Sequence, residues 1–277
     1  MPIINSDKKN KLFLYIVTSS SSDFFTQFLY LLSTDFISGP RFMTVTWVLA
    51  ACIAYTIVAA DEENGHFQKH FPMDCDKLPR DSPSGVYVIK PESSPPLVVY
   101  CHVDTEGNSW TVVQRNSIKT EITWHESWTT YKYGFGNVLK EYWLGNEYIH
   151  LLTSQRTYMV RFLLKDKTDK EWHADYDIFS LDTEANGYSL RLGRFSGTAG
   201  DYLSTFDSNN IHDNMKFSAK DKDQDRSASH CAASYGGWWY DNCQLVLLNA
   251  KGYINWKNIC SGDCSESIIM IKPTGIC

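Results

Sequence analysis

Along much of this chain apolar and polar residues alternate singly instead of recurring every three or four positions. TYMVRFLL (157–164) and SLRLGRF (189–195) place apolar side chains at every second position, which predicts strands with one buried and one wet face. GVYVIK (85–90), LVVYCHV (97–103) and WTVVQRN (110–116) are rich in β-branched and aromatic residues and predict three more strands. NEYIHLLTSQ (146–155) differs: its apolar residues at 148, 149, 151 and 152 fall on one side of a short amphipathic helix. ESWTTYKYGFGNV (126–138) mixes aromatics with glycine and predicts an irregular packed loop. After 205 the chain is loop-rich, ending in the cysteine-bounded CAASYGGWWYDNC (231–243). No linker interrupts the chain from Cys75 onward and no repeat appears. The pattern predicts one α+β domain, with a sheet early and a loop-built region late.

The first 74 residues follow other rules. TVTWVLAACIAYTIVAA (44–60) carries no charge, follows Arg41 and precedes DEEN. Val58 and Ala60 stand at the −3 and −1 positions of a cleavage before Asp61. Residues 43–60 are therefore expected to be a secretory signal peptide. Met43 stands where a start would belong. Residues 1–42, with a serine run and no period, are expected to be an upstream extension, disordered and absent from the mature protein. Residues 61–74 are short and polar, with neither heptads nor Gly-X-Y triplets.

Composition narrows the function. With 43% apolar and 21% charged residues the chain is globular, not disordered. A formal charge of −6 argues against nucleic acid or an anionic membrane as partner. Aromatics at 14% exceed what a core needs and point to a β-rich fold or a flat ligand-binding surface. Secretion implies paired cysteines. Cleavage would leave seven of the eight, so at least one thiol stays free or pairs between chains. There is no HExxH, GxSxG, Walker A or GxGxxG, and no enzymatic activity is expected.

Two segments could carry a binding site. Asp221, Asp223 and Asp225 alternate in a loop, and hard oxygen donors on flexible backbone suit Ca²⁺. The loop is not an EF-hand, since its sixth position is Arg226 and its twelfth Ala232. In 231–243, two glycines beside Trp238, Trp239 and Tyr240 would make an aromatic wall suited to sugars or acetyl groups.

Several motifs together resemble the fibrinogen C-terminal domain. They are SGVY (84–87), VYCHV (99–103), GNSWTVVQRN (107–116), YWLGNEYIHLLT (142–153), ANGYSLRLGRFSGTAGDYLS (185–204), FSAKDKDQD (217–225) and CAASYGGWWYDNC (231–243), in order from Cys75 to 273. The chain is most similar to secreted single-domain members such as the fibrinogen-like and microfibril-associated glycoproteins. The resemblance implies a domain over 75–277: a disulfide-closed N-terminal part, a central twisted antiparallel sheet and a C-terminal ligand-binding region. It implies the disulfides Cys75–Cys101 and Cys231–Cys243. It implies Ca²⁺ held by the Asp223 and Asp225 carboxylates and by the Ser227 and Ser229 carbonyls, with Asp221 close by but not touching the ion.

The resemblance further implies a site beside that ion for acetylated glycans, lined by Tyr235, Trp238, Trp239, Tyr240, Cys243 and Gln244. A cis Asn242–Cys243 peptide would turn the Cys243 and Gln244 N–H groups toward the ligand. A cell-surface or matrix protein is the other partner it allows. Two positions depart from the family pattern: Gln244 replaces a histidine, and NICSGDCSES (258–267) replaces an aromatic-rich segment. Cys260, Cys264 and Cys277 lie outside the family pairs. Either Cys260–Cys264 closes and Cys277 links two chains, giving a disulfide-linked homo-oligomer, or Cys277 pairs back with one of them.

Overall fold

The computed structural model describes residues 71–275, within a compact unit spanning Lys69–Cys277. The expected extension, signal peptide and most of the 61–74 segment lie outside the described residues, as does Cys277. Among the described residues, twelve strands and three short α-helices follow one another. β1 (Gly85–Ile89), β2 (Leu97–Val103) and β3 (Ser109–Ser117) form an antiparallel meander. A helix, Trp128–Tyr133, leads into the two-residue strands β4 (Phe135–Gly136) and β5 (Tyr142–Trp143). The helix Asn146–Ser154 precedes β6 (Tyr158–Lys165), β7 (Glu171–Leu181), β8 (Leu190–Leu192) and β9 (Phe195–Gly197). The helix Cys231–Tyr235, β10 (Val246–Leu247), β11 (Asn255–Trp256) and β12 (Glu266–Pro273) complete the order.

The sheet runs β1-β2-β3-β12-β6-β7-β8, so the last strand of the chain sits at its centre. β12 pairs antiparallel with β3 on one side and β6 on the other. The loop-rich late region is thus tied back into the early sheet by β12, within the single expected domain. The alternation in β6 works as the sequence requires: Tyr158, Val160, Phe162 and Leu164 are buried and the residues between them are not.

Two elements depart from the sequence expectations. The segment expected as a packed loop at 126–138 contains the helix Trp128–Tyr133. The Ser127 side chain caps it by accepting from the Thr130 N–H at 3.1 Å. β7 was hidden by its polar sequence, EWHADYDIFSL. Asp175 is nearly buried in it because Arg161, directly opposite on β6, donates two hydrogen bonds to its carboxylate at 2.9 and 2.7 Å. A charge inside a strand is tolerated when the neighbouring strand pairs it.

Candidate ligand-binding site

The acidic loop is anchored before it can bind anything. Phe217 donates its N–H to the Gly187 carbonyl, and Ser218 and Trp238 exchange backbone hydrogen bonds at 2.9 and 3.2 Å. The Gln224 side chain donates to the Phe217 carbonyl at 2.6 Å. Asp221 turns away from the loop centre and accepts the Trp128 N–H at 2.6 Å, at the start of the helix Trp128–Tyr133. Three alternate aspartates therefore do not converge, and two remain.

Those two, Asp223 and Asp225, face each other. Asp223 accepts the Asp225 N–H at 3.3 Å. Asp225 accepts from the Ser227 N–H at 3.0 Å and from the Cys231 N–H at 2.9 Å. Burial, and then the neighbouring Asp223 charge, push the Asp225 carboxyl above the usual carboxylate range, against the pull of its backbone hydrogen bonds. Such a pair is the donor set that a hard divalent cation relieves. No group of three or more His, Cys, Asp or Glu able to hold a metal occurs among the described residues. An ion here would need backbone carbonyls too, and the Ser227 carbonyl accepts no hydrogen bond among the described residues. The residues present fit Ca²⁺.

Asp225 also starts the helix Cys231–Tyr235 by taking its first N–H. Cys231 pairs with Cys243, with Cα atoms 5.5 Å apart. That bridge brings the segment 241–246 to the acidic loop. Arg226 completes the clamp: its Nε and Nη2 donate to the two Asp241 carboxylate oxygens at 2.5 and 2.6 Å.

The aromatic wall requires correction. Trp238, Trp239 and Tyr240 are all buried. Gly237, just before the two tryptophans, presses against the buried Tyr131 ring so closely that a Cβ would overlap it. There Trp239 packs edge-on to Phe217 and donates to the Tyr188 carbonyl. They belong to the core, and of the four aromatic residues only Tyr235, 41% exposed, stays at the surface. The described residues contain no cis peptide, so Asn242–Cys243 is trans. The turn is made instead by Cys243 itself, whose φ is +44°. Among the described residues neither the Cys243 nor the Gln244 N–H donates a hydrogen bond. The Gln244 side-chain oxygen accepts from Asn255 at 3.0 Å.

A residue with no flanking motif holds this segment. His212 is fully buried; its Nδ1 meets the Trp239 carbonyl at 2.8 Å, and its Nε2 accepts the Leu245 and Val246 N–H groups at 3.1 and 3.2 Å. Those contacts require a neutral ring with its proton on Nδ1. Burial lowers its pKa to about 4, outweighing the Trp239 hydrogen bond and the Asp241 charge that raise it. The structure also pairs Cys75 with Cys101 and Cys260 with Cys264, with Cα atoms 5.6 and 5.3 Å apart.

Residues 71–270 match the family described as fibrinogen beta and gamma chains, C-terminal globular domain. The chain belongs to the fibrinogen C-terminal domain family. It is 61% identical over 191 residues to a chicken (Gallus gallus) fibrinogen-like protein 1-like protein, covering 68% of each chain. It is 42% identical over 195 residues to techylectin-5A of Tachypleus tridentatus, covering 68% of this chain and 64% of that one. The fold is similar to the fibrinogen-like globe domain of human ANGPTL6, with a TM-score of 0.67 and 32% identity. That match covers 74% of this chain and 96% of that one. Membership in the fibrinogen C-terminal domain family makes this a recognition domain that works by binding a ligand. No helix among the described residues is long and apolar enough to cross a membrane.

Proposed function

We propose that the protein is a secreted, calcium-dependent recognition protein that binds acetylated glycans, in the manner of a lectin of innate defence. The observation that carries this is the pair of N–H groups at Cys243 and Gln244 that donate no hydrogen bond among the described residues, joined through Cys231–Cys243 both to the helix that ends in exposed Tyr235 and to the Asp223–Asp225 loop. Two adjacent donors suit the carbonyl oxygen of an acetyl group, and an aromatic face suits its methyl. Ca²⁺ would be held by the Asp223 and Asp225 carboxylates with the Ser227 and Ser229 carbonyls. It would fix the loop that precedes the helix Cys231–Tyr235 and supply no chemistry beyond charge and coordination. One relative, techylectin-5A, carries a lectin's name, which supports the reading. Gln244, neutral where a cation would favour anions, directs the site toward uncharged ligands. A glycan array probed in Ca²⁺ and again in chelator tests this. Calcium-dependent hits on N-acetylated sugars are expected; no such hit would overturn the proposal in favour of a protein ligand at the cell surface or in the matrix.

A further inference from the structure

Tyr253 lies outside every segment that the sequence marked for binding, yet it stands against Tyr235. The two rings are stacked, with centroids 6.4 Å apart and planes 29° from parallel. Tyr253 is only partly buried and Tyr235 is exposed, so the pair presents an aromatic surface to solvent; Tyr253 stands two residues along the chain from Asn255, which bonds the Gln244 side chain.

What holds Tyr253 is the segment that departs from the family pattern. Its ring lies on the backbone of Gly262, where any Cβ would overlap it, and Gly262 has φ +90°. Gly262 belongs to the loop closed by Cys260–Cys264. That loop is zipped onto 254–256: Ile254 N–H donates to the Gly262 carbonyl at 3.1 Å and Cys264 N–H to the Ile254 carbonyl at 3.2 Å. Trp256 and Cys260 exchange hydrogen bonds at 3.1 and 3.0 Å. The same stretch carries Asn255, whose side chain donates to the Gln244 side-chain oxygen at 3.0 Å and to the Leu245 carbonyl at 2.9 Å. One short segment thus sets both the second tyrosine and the side chain of Gln244.

We infer that Tyr253, seated on Gly262 by the Cys260–Cys264 loop, is the specificity-determining aromatic wall of the ligand site and takes the apolar face of an uncharged acetamido sugar. The inference rests on the proposed function for the ligand class; the clamp on Tyr253 stands on geometry alone. Small polar residues at 258–267 thereby do not abolish the wall. They make room for a tyrosine delivered from the neighbouring segment.

The test uses the purified full domain with ¹³C-labelled tyrosine rings, followed by NMR in Ca²⁺ while N-acetylglucosamine is added. Both Tyr235 and Tyr253 ring signals should move. Affinity should fall roughly tenfold in Tyr253→Ala and Gly262→Ala, and change little in Tyr253→Phe. Unchanged affinity in Tyr253→Ala would overturn the inference. Without added sugar, Gly262→Ala and the double variant Cys260→Ser/Cys264→Ser should each shift the Tyr235 ring signals through loss of the stacked neighbour. Unmoved signals in variants whose urea midpoint shows them folded would overturn the clamp. If the wild type binds no N-acetylglucosamine while those shifts occur, the acetyl reading falls and the clamp is supported.

Discussion

Arg226 and Asp241 form a forked ion pair in which an exposed guanidinium closes over a carboxylate that is 2% accessible. Asp241 accepts one further hydrogen bond, from the Ile211 N–H at 3.1 Å, so it joins three loops: the acidic loop, the 207–213 turn and the approach to Cys243. Removing Arg226 leaves a buried carboxylate with a single donor. Arg226→Ala is expected to cost about 2 kcal/mol. That is below the usual penalty for a fully buried pair, because solvent already reaches the guanidinium. Urea unfolding should show a lower midpoint with an unchanged slope.

His212 makes the same region sensitive to acid. Its folded pKa, about 4, lies below the ordinary 6.5, so the unfolded chain takes up the proton first as pH falls. Its contribution is complete above pH 6.5 and is lost progressively down to about pH 4, for a total on the order of 3 kcal/mol. Denaturation midpoints measured from pH 8 to 4 should fall across this window. His212→Gln should start less stable and decline less steeply; parallel curves would refute the assignment.

The calcium proposal has a direct thermodynamic consequence. A ligand at a hundred times its Kd stabilises the folded state by about 2.7 kcal/mol, which for a domain of this size raises Tm by roughly 5–10 °C. Differential scanning in Ca²⁺ against chelator should show that rise in the wild type and none in Asp223→Asn or Asp225→Asn. Asp221→Asn should keep the calcium response while losing some stability, since that side chain serves the Trp128 N–H.

β12 predicts where the fold is most vulnerable. Ile271 is fully buried in the central strand, opposite Thr111 on β3 and Val160 on β6. Ile271→Ala is expected to cost about 3 kcal/mol, whereas Val98→Ala, half exposed on β2, should cost well under 1. Equal effects in chemical denaturation would contradict this topology.

Much of the sheet was legible because β6 buries every second residue, so its pattern survives without knowledge of its neighbours. β7 was not, because Asp175 reads as a breaker until Arg161 is placed opposite it. The acidic loop could be found by its alternate aspartates, yet nothing local said that Asp221 would turn to a helix almost a hundred residues earlier. His212 carried no signal at all, since its three partners belong to the segment 239–246.

By itself the sequence determined the strand pattern, the family and the short list of chemically capable residues, because these depend on residue type and local spacing. Only tertiary packing decided which of them reach solvent. Trp238 and Trp239 went into the core beside the close approach of Gly237 to Tyr131, and Tyr253, an unmarked tyrosine, came to stand on Gly262 against exposed Tyr235. Close approach of distant backbone is a property of pairs of segments, and no single stretch of sequence contains it.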